Sequence, residues 1–410
     1  MSELEKTPPQ PELQSMQGRL EAVQGLLEHN RSYYQRTNRT LSTFAEAALR
    51  ALELPYFQEQ LRYVLSVRED LDATHTVKLL ERTYQGDLLE NDPEHYPDDY
   101  RDDPCMWQKA FMSVEQDDIR GERVLFNLLT RNVQSNIAER YKTVKLLAAL
   151  YRDRFGDEPS HLDVGSSVLH GQLKLAFGHN TPGDALSFGD IKLSSQPELN
   201  HDSITHEQVL HRERTINALV NKALHQTVRF GAMMGTDITN VDDPSTKRWV
   251  ESCSFYPDEL SDITKRTEYS ALEAVDPRHE RVGFVRADFS NEGDLEKLHS
   301  TAPAGGYDII TFFTIFYQIS AQERQRMLDH AQGLLSDNGI IVIQDAVDGN
   351  FSKDWNYAAT IKDNARPDTD DQEILRWKTP RCNEARLGLG RLSLQGNLLP
   401  VDAALLELAD

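Results

Sequence analysis

From residue 161 onward, short apolar runs alternate with stretches long enough for helices: HLDVG at 161–165, FGAMMGTDI at 230–238, RVGFVRADF at 281–289, YDIITFF at 307–313 and GIIVIQDAV at 339–347. Parallel strands need long crossovers between them, and a helix is the usual crossover. The alternation therefore predicts an α/β fold with a doubly wound, mostly parallel sheet. The crossover between the last two runs is the most clearly signed. Ser320 and Glu323 stand at capping-box spacing, Met327, Leu328, Ala331 and Leu335 form an apolar stripe, and Asp337-Asn338-Gly339 ends it.

Upstream the period changes. Residues 1–10 are polar with Pro8 and Pro9 and read as a loose tail. Leu13, Met16, Leu20, Val23 and Leu27, then Leu41, Phe44, Ala48 and Leu52, recur at helical steps before Pro55 interrupts, which makes 11–130 a helical N-terminal region. Val133, Ile137, Tyr141, Val144, Leu147 and Tyr151 predict one long helix ending near Gly156, and a Rossmann-like domain is expected over 131–410. The acidic, proline-bearing segment 87–104 reads as a loop, without the D-x-D-x-D-G spacing that would fold it around calcium.

Composition removes several function classes. A formal charge of −22 repels phosphate backbones, so no nucleic acid partner is expected. Cys105, Cys253 and Cys382 are too far apart to suggest a disulfide framework or a thiolate metal site. No apolar run matches a bilayer, and the start of the chain is acidic instead of basic and apolar; the expectation is a cytoplasmic protein without membrane association.

In an open parallel sheet, ligands sit beyond the carboxyl ends of the strands, near the point where strand order reverses. At the first end, Asp163-Val164-Gly165-Ser166-Ser167, with Gly171 following, allows close approach of a ligand to the backbone. At the second, Asp237 is suited to accept from ribose hydroxyls; at the third, Asp288 is suited to an adenine amino group, with Phe289 beside it. A competing alignment takes LSFGDIKL at 186–193 as the second strand and Asp190 as the ribose acid, because Asp163 and Asp237 are 74 positions apart. With Asp237, an insertion at about 180–228 follows, its centre helical from Thr205 and Gln208 onward. Its His201, His206, His211 and His225 lack one-face spacing for zinc, and no metal is assigned. Tyr317 and Asp345 are the candidate catalytic residues near the acceptor, with Gln344 and Tyr141 as further contacts.

The series LDVGSS, GTDIT, RADFS, YDIITFF and LLSDNGIIVIQDA resembles the class I S-adenosylmethionine-dependent methyltransferases over about residues 135–350. The resemblance implies S-adenosyl-L-methionine as cofactor, with Asp163, Gly165 and the adjoining Ser166 by its methionine portion, Asp237 at the ribose and Asp288 with Phe289 at the adenine. Thr311 and Phe312 would rim the transferable methyl group. It departs from the family loop in placing serine where a second glycine is usual. The strand ending in TFFT lacks the (Asp/Asn)-Pro-Pro-aromatic signature of nucleic-acid and glutamine methylation, which leaves a small molecule or a protein side chain as acceptor, a small molecule being the expected partner. Residues 11–130 would then line its pocket or form a homodimer contact. Two other readings stay open: a catalytically inactive methyltransferase-like binding or regulatory protein, and an NAD-linked oxidoreductase, which the absence of G-x-G-x-x-G disfavours.

Overall fold

The computed structural model describes residues 15–134, 137–178, 185–194, 214, 217–218, 220–254, 262–275, 281–347, 354–363, 372–382, 384–387, 393–394 and 397–398. The expected tail and the Thr205–Gln208 helix start lie outside these residues. The chain divides into two compact units, one of residues 1–135 with 247–266, the other of 136–246 with 267–410.

The first unit is helical: α1 (Met16–Tyr34), α2 (Arg39–Ala51), α3 (Pro55–Val67), α4 (Ala73–Asn91), α5 (Pro104–Gln116) and α6 (Asp118–Thr130). Side chains of Ser15, Asn38, Asp72, Asp103 and Asp117 accept from the free amides of the first turns of five of these helices, and Pro55 and Pro104 start α3 and α5, where a missing N–H costs nothing. Pro55 thus begins a helix as much as it ends one. The acidic 87–104 segment is only partly a loop: α4 runs through Asp87 to Asn91 because Asp87, buried, accepts from Arg120 and Asn91 and pairs with Arg123. An aromatic cluster forms the core, with Tyr84 edge-on to Phe111 at 4.6 Å and Phe44 edge-on to Trp107 at 5.0 Å. Residues 247–266, which the sequence reading left in the second region, join this unit because α9 (Pro244–Ser254) buries Trp249, Val250 and Cys253 and Trp249 donates to the Asn132 carbonyl at 2.9 Å.

The second unit is the α/β one. Its main strands are β1 (His161–Val164), β2 (Lys192–Leu193), β3 (Met233–Asp237), β4 (Gly283–Arg286), β5 (Tyr307–Phe313), β6 (Leu335–Ala346), β7 (Tyr357–Asp363), β8 (Gln372–Trp377) and β9 (Glu384–Leu387). They form one sheet in the order β2-β9-β8-β7-β6-β5-β1-β3-β4. The block from β4 to β6 is parallel, and β7, β8 and β9 continue it antiparallel. β5 is apolar along nearly its whole length because both faces of this central strand are covered. One face packs Leu162, Ile310, Phe312 and Ile341 against Met327, Leu328 and Ala331 of the helix Ala321–Leu334, whose Ser320 and Glu323 form the expected capping box. The 133–151 stripe is not one helix: a 3-10 turn (Ala138–Tyr141) precedes α7 (Lys142–Phe155), which ends on Gly156 at φ 78°.

Candidate active site

Chain order in the sheet runs from β1 outward through β3 to β4, then returns to β5 and β6 on the other side of β1. The reversal lies between β1 and β5, and in open α/β sheets ligands sit past the carboxyl ends of the strands at such a point. β3, ending in Asp237, is the strand beside β1, in register from His161↔Met233 to Val164↔Thr236. The Asp190 alignment is thereby overturned. Its segment supplies β2, which pairs with β9 at the far edge, and Asp190 instead contacts His225 at 2.6 Å. His201, His206 and His211 lie outside the described residues.

The loop after β1 is tightly wound. Gly165 has φ 74° and is exposed; a Cβ there would lie 2.6 Å from Ile315 Cδ1. Ser167 at φ 52° and Leu169 at φ 66° are left-handed without being glycine, a strain that persists only where neighbours impose it. The Gly165 and Ser166 amides both donate to the Thr236 carbonyl, at 2.8 and 3.1 Å, and the Ser167 amide donates to Asp237 Oδ2 at 2.9 Å. Ser166 is buried; Ser167 Oγ is buried with no hydrogen-bond partner among the described residues. α8 (His170–Phe177) follows.

The candidate acids differ in their surroundings. Asp163 is buried within β1; Tyr141 donates to its Oδ2, Thr311 donates to Oδ1 at 2.8 Å, and burial pushes its pKa up to about 7. Asp237, half-buried, also accepts from the Thr239 amide and hydroxyl at 2.9 and 2.8 Å. Asp288 is half-buried, accepts from the Ser290 amide and hydroxyl through Oδ1, and has no partner on Oδ2 among the described residues. Beside β3 and β4 lies an open depression of about 620 Å³ with Ile238, Thr239, Asn240, Thr246 and Arg286 in its wall.

Three residues expected at the ligand are deeper than that. Thr311 is fully buried and bonded to Asp163 and His161, while Phe312 and Phe289 pack edge-on at 5.6 Å inside the core. The reason is β5 itself: both of its faces are covered, so its alternate side chains all turn inward. The first half-buried residues come just after the strand, at Thr314 and Ile315. Of the acceptor-side candidates, Gln344 is fully buried and accepts from Thr143 at 2.5 Å, and Tyr141 is committed to Asp163. Tyr317 and Asp345 do meet: the Tyr317 amide donates to Asp345 Oδ2 at 3.1 Å, and the Ala346 amide to Oδ1 at 2.8 Å. Burial pushes the Asp345 carboxyl up to about 6, against those amides and the charge of Arg140.

The sequence reading missed the Ala138–Tyr141 turn. Glu139, Arg140 and Lys142 are all buried there. Lys174 and Lys142 each lie 2.5 Å from a Glu139 oxygen; burial would raise that carboxyl, but the two ammonium groups outweigh it and hold it below the usual range. Lys174 also pairs with Glu268 at 2.6 Å. The available signal was the density of charges at 139–145 within an otherwise apolar stripe.

No family model and no curated protein matches this chain. Among solved structures it is similar to the plantazolicin methyltransferase BpumL in complex with a desmethylPZN analog and SAH (13% identity, 66% of this chain and 60% of that one, TM-score 0.24). It is also similar to an O-methyltransferase family protein from Burkholderia thailandensis (12%, 67% and 55%, 0.23) and to LepI in complex with SAM (13%, 80% and 60%, 0.24). The matches thus span less than two thirds of each of these proteins, and at such TM-scores they fix neither chemistry nor ligand.

Proposed function

We propose that the carboxyl-end edge of β1, β3 and β4 binds S-adenosylmethionine and that the protein transfers its methyl group to a small-molecule acceptor. The observation that carries this reading is the charge pattern at the strand ends. Asp237, Asp288 and Asp345 stand at or near the ends of β3, β4 and β6 and outnumber Arg286 at the end of β4, while the 163–171 loop contains neither lysine nor arginine. Such an edge suits a ligand with a cationic centre and repels a pyrophosphate, which disfavours the NAD reading.

The residues fit the cofactor where they can be tested. Ser167 Oγ is an orphaned buried hydroxyl in the loop, and Asp288 Oδ2 is an open acceptor. Asp237 has one lone pair beyond its three bonds and would hold the ribose end, while Gly165 keeps the loop open to the methionine portion. When bound, the cofactor would supply an electrophilic methyl group to the lone pair of an acceptor. The chain's own part would be to align the acceptor and take its proton, and Asp345, its carboxyl pushed up to about 6, would serve as that base.

Calorimetric titration with S-adenosylmethionine and its demethylated product, with NAD as control, tests the reading. Micromolar binding is expected, weakened about tenfold in Asp237→Ala, the loss of roughly one charge-assisted hydrogen bond. Absence of binding to the wild type sinks the proposal. Binding with no transfer to any of a panel of small hydroxyl and amine acceptors favours the inactive, ligand-sensing alternative.

A further inference from the structure

The last strands carry a basic surplus that runs against the rest of the chain. Between 372 and 387 stand four basic residues, Arg376, Lys378, Arg381 and Arg386, against two acids, in a protein of formal charge −22. Both acids are taken: Glu373 accepts from Arg376 through both oxygens, and Glu384 pairs with Lys378 at 3.0 Å and accepts from Ser194. Arg386, half-buried, is left over. Its Nε is buried without a hydrogen-bond partner, and no carboxylate pairs with it, among the described residues. It stands directly opposite Arg376 in the β8–β9 pairing, where like charges destabilise, and a buried donor without an acceptor adds to that cost. Its Cζ lies over the Trp355 ring, 3.9 Å from the ring centre. Trp355 is itself left-handed at φ 64°, a strain its surroundings impose, and its amide donates to the Lys378 carbonyl at 2.9 Å. Stacking of this kind leaves the edge of the guanidinium, which carries the donors, for an acceptor in its plane.

The strand register places this cation relative to Asp345. Asp345 of β6 pairs with Ala358 of β7, Ala358 with Arg376 of β8, and Arg376 with Arg386 of β9, so the four share one face of the sheet, one residue in from the carboxyl end of β6. Asp345 and Arg386 are three strand spacings apart, about 14 Å between Cα atoms. On β7 between them Ala358 contributes only a methyl group. We propose that Arg386 binds an oxyanion of the methyl acceptor, a carboxylate or a phosphate, through its guanidinium edge, and that the acceptor is therefore an anionic small molecule with its nucleophilic group toward Asp345. Trp355 fixes the plane of the guanidinium, and a planar fork of donors matches the paired oxygens of such a group. The word acceptor rests on the methyl-transfer reading; the oxyanion site does not.

Nitrogen–proton NMR of the full chain, labelled at arginine and tryptophan, tests this by titration with benzoate, with inorganic phosphate and, as a neutral control of benzoate's shape, with benzamide. The Arg386 Nε–H signal is identified by its loss in Arg386→Gln, and the Trp355 indole signal by its loss in Trp355→Phe. A saturable shift of the Arg386 signal with benzoate or with phosphate, and none with benzamide, is expected; the effective anion tells a carboxylate acceptor from a phosphorylated one. Followed at the Trp355 indole, Arg386→Gln should weaken that binding by about tenfold or more, the loss of a charge-assisted bidentate contact. If Arg386→Gln does not fold, Arg386→Lys, which keeps the charge but not the planar fork, takes its place and should still weaken binding severalfold. No saturable shift with either anion, an equal shift with benzamide, or undiminished binding in the variant overturns the proposal. S-adenosylmethionine is absent from these titrations, so failure of the methyl-transfer reading is visible separately, as absence of cofactor binding to the wild type.

Discussion

Replacing Gly171 by alanine is expected to destabilise the α/β unit by about 3 kcal/mol, the upper end of what overpacking a filled core costs. The added Cβ would lie 1.8 Å from Tyr141 Cε2 and 2.0 Å from its Cζ, well inside contact distance. The ring cannot step aside cheaply. Its hydroxyl is bound to the buried Asp163, and its edge packs on Phe313 with centroids 5.0 Å apart. Elsewhere in a helix the same change usually stabilises, by roughly 0.5–1 kcal/mol, so the sign of the effect reports the ring and not helix propensity. A double-mutant cycle measured by denaturant unfolding isolates it. Gly171→Ala made in a Tyr141→Ala background should cost close to nothing; additive losses would show that the ring is not what confines position 171.

Acidification is expected to destabilise the wild-type protein through His161, and His161→Phe should remove that part of the pH dependence. His161 is completely buried at the start of β1, its Nε2 lies 3.0 Å from Thr311 Oγ1, and its Nδ1 has no partner among the described residues. Burial pushes its pKa down to about 3. The folded protein therefore keeps the imidazole neutral while the unfolded chain, titrating near 6.5, takes up a proton. Stability is present above about pH 6.5 and is lost progressively as the pH falls toward 3. Between pH 8 and pH 5 that loss amounts to about 2 kcal/mol, from roughly 1.5 pKa units at 1.36 kcal/mol each. Asp163 works in the opposite sense. Its raised pKa makes the folded state bind the proton more tightly, so its contribution falls as the pH rises toward about 7. Comparing the pH slope of unfolding free energy in wild type and His161→Phe separates the two. An identical slope in both would mean that water or a rearranged core solvates the ring.

Several strand ends could be placed from sequence because they are local events. The apolar run to Thr236, the acid at 237 and the glycine at 165 each follow from a few consecutive residues, and the sheet brings the ends of β1 and β3 side by side. Depth along β5 was not local. The family resemblance set Thr311 and Phe312 at a rim, but both lie inside β5, where Phe313 still pairs with Gln344 and the strand runs on to that residue. The choice between Asp190 and Asp237 likewise needed the pairing partner of each strand, which apolar pattern does not carry.

What the amino-acid sequence determined by itself is the class of architecture: alternating strand and helix periods, proline and aspartate helix starts, and the Ser320–Glu323 cap are all consequences of residues within one helical turn or one strand of each other. What only the tertiary structure decided is which polar residues are buried together. Tyr141 reaches Asp163 across 22 positions, Arg140 reaches Thr314 across 174 and Pro380 across 240. A charged side chain is tolerated in such a place only when the folded chain brings it a partner, and periodicity can assign a residue to a polar or apolar face without saying who stands opposite.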